Sequence, residues 1–168
     1  MKKVSDIHAI KIIFFITACY VGLWAIRIPT IKDQLQTDYV GVGYIMLSFA
    51  IGSIVAMIFA NALILKTSTK SILTCTLIAE GCLWLPVPFI QELWLFMVFS
   101  FVFGMSYGAF EIACNVYASN LEVREKKSMM SGFHAFWSLG VLFGSLITSF
   151  LLEWNYSFIF NILLYVII

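Results

Sequence analysis

The chain is short of charge. Only 11% of its 168 residues are Asp, Glu, Lys or Arg, where a water-soluble domain carries about a quarter. The net charge of +1 leaves no basic excess to hold a nucleic acid. There is no CxxC pair and no histidine cluster, which excludes the usual metal and redox frameworks. The four cysteines, Cys19, Cys75, Cys82 and Cys114, all lie in apolar segments and read as small buried apolar residues. No HExxH motif and no nucleophile–base pair occurs, so the pattern points away from an enzyme and calls for no metal or cofactor. Proline is rare, and Pro29, Pro86 and Pro88 all stand near the ends of apolar segments.

What fills the space is apolar: 62% of the residues, with a mean hydropathy of +0.99. About 20 apolar residues cross the roughly 30 Å of a bilayer's hydrocarbon. Five segments reach that length, at about 7–28, 43–65, 71–90, 93–119 and 132–152. The first follows Lys2 and Lys3, is long, and lacks a clear small-residue cleavage site, so it reads as a retained span. It is expected to end at Arg27 and Pro29, before the polar run TIKDQLQTDY, with Lys11 snorkelling near its start. Gly52, Ala56 and Ala60 recur every four residues in the second span, and Gly140, Gly144 and Thr148 do so in the fifth. Such stripes let helix backbones approach closely. Pro86 and Pro88 bend or end the third. A sixth segment begins near Tyr156, and the sequence stops at Ile168. Thirteen residues make about 20 Å of helix, short of the hydrocarbon thickness. The expected fold is an all-α membrane protein, one six-helix unit over 1–168 with an incomplete sixth helix.

Loop charges give an orientation. The N-terminal region and the second and fourth loops hold Lys2, Lys3, Lys11, Lys66, Lys70, Arg124, Lys126 and Lys127, whereas the other side has only Arg27 and Lys32. Eight against two places the first group in the cytoplasm.

Within the fourth segment sits a carboxylate, Glu111. At helical spacing it shares a stripe with Gly104, Gly108, Asn115 and Ala118. No arginine or lysine lies between Leu93 and Ser119 to pair with it. A charge in lipid is expensive, so such a residue points into the helix bundle or a watery cavity. It serves either as a hydrogen bond between helices or as a functional acid.

Five spans and part of a sixth, with basic cytoplasmic loops, resemble the N-terminal half of a major facilitator superfamily transporter. The stretch NALILKTSTKS matches that family's signature loop between spans two and three. Lys66 and Lys70 take its basic positions, while Asn61 and Ser68 stand where the family has glycines and Leu65 where it has an acid. The stretches GLWAIRIPTIKDQL and GAFEIACNVYASNLE…GFHAFWSLGVLFG are similar to a bacterial subgroup near the fucose–proton symporters. The resemblance implies that Glu111 and Asn115 line a central cavity and that Glu111 meets both proton and substrate. It also implies a site between two six-helix halves, in a bacterial cytoplasmic membrane. The acid that fucose symporters carry in span one has no counterpart between Ile7 and Ile28.

Other polar residues leave two readings open. Glu80, in the third span, is a second protonatable site or a hydrogen-bonded helix contact, with Thr76 one turn away as a partner. His134, with Ser138 a turn later, is a gating or proton-path residue or a structural histidine bonded to a carbonyl. Arg27 is an outer anionic gate or a side chain reaching headgroups. Tyr20 and Trp24 share its side of the helix and form a solute platform or an interface anchor.

These residues together suggest proton-coupled secondary transport of a small polar solute, with a sugar among the candidates. The lipid bilayer is the solvent, and the partners are the solute, protons, and a second half supplied by a homodimer, a companion chain or a longer native protein. The rival readings are a non-transporting membrane interaction or assembly protein and an inactive truncated remnant.

Overall fold

The computed structural model describes the backbone of residues 2–167 and the side chains of residues 6–60 and 62–167. The side chains of Lys2, Lys3 and Asn61, and residue Ile168, on which the sequence reading drew, lie outside the described residues. Six helices follow one another: α1 (Lys2–Gln34), α2 (Tyr39–Lys66), α3 (Thr69–Trp84), α4 (Leu93–Glu125), α5 (Met130–Glu153) and α6 (Phe158–Ile167). A 3-10 turn, Val87–Phe89, separates α3 from α4. No strand occurs among the described residues. Among the described residues five helices are long and apolar enough to cross a membrane, and α6 is a shorter apolar helix.

Helix ends depart from expectation at two places. Pro29 does not stop α1, which continues to Gln34. Proline deletes one backbone donor and crowds one turn, but the residues after it, Lys32 and Gln34 among them, are good helix formers and carry the helix on. The loop after the fourth span is likewise half helical, since α4 runs on to Glu125. Arg124 there bonds both Asp6 and Glu125 at 3.0 Å. The Glu122 Oε1 accepts from the N–H groups of Met129 and Met130, at 2.5 and 2.7 Å. This carboxylate caps α5, whose own N-cap residue, Met129, makes no side-chain capping bond. Elsewhere the caps are local. Asp38 accepts from Gly41 N–H to start α2, and Ser68 accepts from Ser71 N–H to start α3. Pro86 and Pro88 fall in and beside the 3-10 turn and end α3, as their chemistry predicts.

The chain divides into two packing units. One comprises Met1–Arg27 with Val116–Ile168; the other is Ile28–Asn115. In the first, α1 and α5 touch backbone to backbone. A Cβ added at Gly140 would strike the Phe15 carbonyl, and one at Gly144 the Cys19 carbonyl. Gly22 meets α5 from the other side, at Val141 and Ser145. In the second unit α2 and α4 do the same: Gly52 lies on the Phe101 carbonyl, Gly104 on that of Phe49, and Gly108 on that of Ser53. Ser48 Oγ also donates across this contact to the Met97 carbonyl at 2.7 Å. Gln34 ties the end of α1 to the α3–α4 connection, donating to the carbonyls of Val87 and Ile90 at 2.9 and 2.6 Å.

Many of the uncovered side chains along the helices are apolar. Ile54, Ile58 and Phe59 on α2 and Leu142, Phe143 and Leu146 on α5 stand open. A bilayer covers such a surface, whereas water would not tolerate it over so large an area. Cys75 and Cys82 belong to this outer surface. That corrects their assignment to the core, because cysteine is apolar enough to face lipid as readily as protein. Cys19 and Cys114 are buried as expected.

Candidate functional site

The second unit holds the membrane carboxylates. Gly104 and Gly108 bring α4 against α2, and Glu111 follows one turn later on the same stripe. Glu111 and Asn115 are both half-buried. The Asn115 Nδ2 donates to the main-chain carbonyl of Glu111 at 3.0 Å, not to its carboxylate. The Glu111 carboxylate is therefore not spent on its neighbour. Glu80, on α3, is 3% exposed, and its Oε1 has no hydrogen-bond partner among the described residues. Thr76, the partner expected for it, donates instead to the Ile72 carbonyl at 2.7 Å. A serine or threonine hydroxyl reaches the carbonyl four residues back on its own helix with no rearrangement, and that local bond wins. Tyr107 and Cys114 lie within electrostatic reach of both carboxylates, so Glu80 and Glu111 share one neighbourhood. Tyr107 was not legible as a site residue, because one more aromatic in an aromatic-rich segment carries no signal. A shallow depression on this unit, lined by Ser48, Trp94, Met97, Val98 and Phe101, offers one hydroxyl that is already bonded to Met97.

The first unit holds a separate polar group. Arg27 is 2% exposed, so it does not reach out to headgroups. Its Nε donates to Asn161 Oδ1 at 3.0 Å, and an Nη2 hydrogen reaches toward the Tyr156 carbonyl at 3.5 Å. The guanidinium stands over the Phe158 ring, 5.1 Å from its centroid. Asn161 is wholly buried. It escaped the sequence reading because its only mark is one amide in the apolar run FIFNILLYVI. One turn deeper, Tyr20 donates to the Tyr165 carbonyl at 2.9 Å. Tyr165 donates to the Gly144 carbonyl at 2.7 Å, and its hydroxyl pairs with Thr148 at 3.1 Å. Tyr20 is thus a buried tie between α1 and α6, with its hydroxyl occupied and its ring 5.9 Å from that of Tyr165. Trp24 is half-buried. His134 and Ser138 are exposed on α5. The His134 ring meets Phe14 edge-on at 5.6 Å, and Ser138 Oγ donates to the His134 carbonyl at 3.1 Å. The Ser138 hydroxyl bond stays within its own helix.

Comparison with known proteins agrees with this architecture. The family model described as Major Facilitator Superfamily matches residues 12–168. An uncharacterized MFS-type transporter of Yersinia pestis is 28% identical over 145 residues, covering 84% of this chain and 37% of the relative. An uncharacterized transporter (y4wD) of Sinorhizobium fredii is 25% identical over 141 residues, covering 79% of this chain and 35% of the relative. The chain therefore matches little more than a third of the length of these curated relatives. No solved structure matches it. Five membrane-length helices, the glycine contacts between them and a family match across nearly the whole sequence lead to one assignment: the chain belongs to the major facilitator superfamily and corresponds to the N-terminal half of such a transporter.

Proposed function

We propose that this chain supplies one six-helix half of a proton-coupled carrier for a small polar solute. The observation that carries the reading is Glu111, a half-buried carboxylate on a membrane helix with no lysine or arginine between Leu93 and Ser119. A carrier of this family binds its solute between two halves that rock about it. A proton can drive the rocking only if its site binds it differently in the two access states. Glu111 suits that role, since no lysine or arginine lies beside it in the membrane segment 93–119. The second half comes from a second copy, a companion chain or a longer form of the protein. The host membrane is the bacterial cytoplasmic membrane, and the proton moves in symport with the solute. Family membership supports reading the chain as part of a transporter and not an enzyme.

Two experiments test the reading. In the complete transporter, Glu111→Gln keeps size and hydrogen bonding but removes titration. Expected is loss of uptake driven by an imposed pH gradient in proteoliposomes, with counterflow exchange retained. Undiminished proton-driven uptake would return Glu111 to a structural role. Orientation is tested at Ser128, in the basic connection after α4. Eight basic residues against two place this loop inside the cell, so Ser128→Cys resists an impermeant maleimide in intact cells and reacts after permeabilisation. Strong labelling of intact cells would invert the topology.

A further inference from the structure

We propose that Arg27 and Asn161 form a binding site for a carboxylate. The guanidinium is 2% exposed and carries a fixed charge, yet its partners are an amide oxygen, a main-chain carbonyl and an aromatic face. Ion pairs join Lys32 to Asp33 and Arg124 to Asp6 and Glu125, and none of these involves Arg27, which has no carboxylate partner among the described residues. Its charge is buried and unanswered.

Asn161 gives the second, independent sign. An arginine can only donate, so Asn161 must turn its oxygen toward Arg27 Nε. That choice fixes the amide nitrogen as a donor. Asn161 is wholly buried, and its Nδ2 has no acceptor among the described residues. A buried cation with no carboxylate partner among the described residues is thus bonded to a buried amide whose own donor lacks an acceptor there. The hydroxyls of Tyr20, Tyr165 and Thr148 one turn deeper bond to carbonyls and to one another, and none of them is a partner of the Asn161 Nδ2.

The missing group must accept hydrogen bonds and bring one negative charge. A carboxylate does both, with one oxygen for the guanidinium and one for the amide. A doubly charged phosphate would leave a charge unmatched. The site lies at the first turn of α6, beneath Tyr156, which is 45% exposed and marks the short way to the surface. The carboxylate is either that of a free solute or an acidic side chain of a second chain. The proposal involves one packing unit alone and does not depend on the proton role given to Glu111.

The chain has two arginines, which makes the test direct. Arginine-selective 15N labelling of the protein in detergent gives two Nε–H resonances, assigned with Arg27→Gln. Arg124, paired with Asp6 and Glu125, is the internal reference. Sodium propionate is titrated against sodium chloride at constant ionic strength, and a protein-concentration series is recorded without propionate. A saturable millimolar shift of Arg27, with Arg124 unmoved, assigns the site to a solute carboxylate. Indifference to propionate with a shift that follows protein concentration assigns it to the side chain of a second chain. Asn161→Leu is expected to weaken either response by about tenfold, the worth of one buried donor. Asn161→Asp is expected to abolish it, because the aspartate supplies Arg27 with a carboxylate from within. An Arg27 resonance that stays still in both series overturns the proposal, as does a response that Asn161→Leu and Asn161→Asp both leave intact.

Discussion

Gly144→Val is expected to abolish the accumulation of folded protein, while Gly132→Val leaves it unchanged. Both glycines lie in α5 and both substitutions add the same atoms. At Gly144 the new Cβ would fall on the Cys19 carbonyl of α1, which is backbone and cannot rotate away. At Gly132 the new Cβ would meet no described atom within 4 Å beyond the helix's own adjoining backbone. Lipid gives helices no hydrophobic reason to associate, so close packing and interhelical hydrogen bonds must hold them. Overpacking a core costs about 1–3 kcal/mol where side chains can yield, and more where backbone is struck. Moving α5 off α1 would also disturb the Gly144 carbonyl that accepts from Tyr165, and with it the tie to α6. The measurement is the monodisperse peak of a fluorescent fusion after detergent extraction. Equal peaks for the two variants would show that the α1–α5 contact is not what holds this unit together.

Glu80→Leu is expected to raise stability. The side chain is 3% exposed and one carboxyl oxygen finds no partner among the described residues, so a polar group is left buried and unanswered there. Leaving such a group buried costs about 1–3 kcal/mol, and an apolar residue of similar volume recovers much of that. Glu80→Gln keeps a polar group in place and should change little. Titration of the three proteins with SDS, followed by circular dichroism, separates them. Loss of stability in the leucine variant would mean that Glu80 is bonded in the membrane and holds α3. Proton-driven uptake measured beside it decides whether Glu80 or Glu111 couples: a stable leucine variant with full uptake leaves that role to Glu111.

Glu111→Ala is expected to fold as Glu111→Gln does. Asn115 bonds the main-chain carbonyl of Glu111, and alanine keeps that carbonyl. Truncation therefore does not strand Asn115, and the alanine and glutamine variants should fold alike.

Composition and segment length by themselves determined the all-α membrane character, the five long spans and the small-residue stripes. The reason is that hydrocarbon satisfies no backbone group, so a chain this apolar has to close its hydrogen bonds within helices of a set minimum length. Proline at 86 and 88 marked a true end for the same local reason. Pro29 did not, because one missing donor is cheap beside a helix that continues in good formers. Partners were another matter. The hydroxyls of Thr76 and Ser138 went to their own helices, where a carbonyl four residues back is always within reach. Glu122 capped a helix that begins eight residues later, and Arg27 met an amide 134 residues away. Periodicity says which face of a helix a residue occupies, but not which other helix that face meets. Only the tertiary packing, set by where glycines let backbones touch, brought Arg27 to Asn161 and left a Glu80 oxygen without a partner among the described residues.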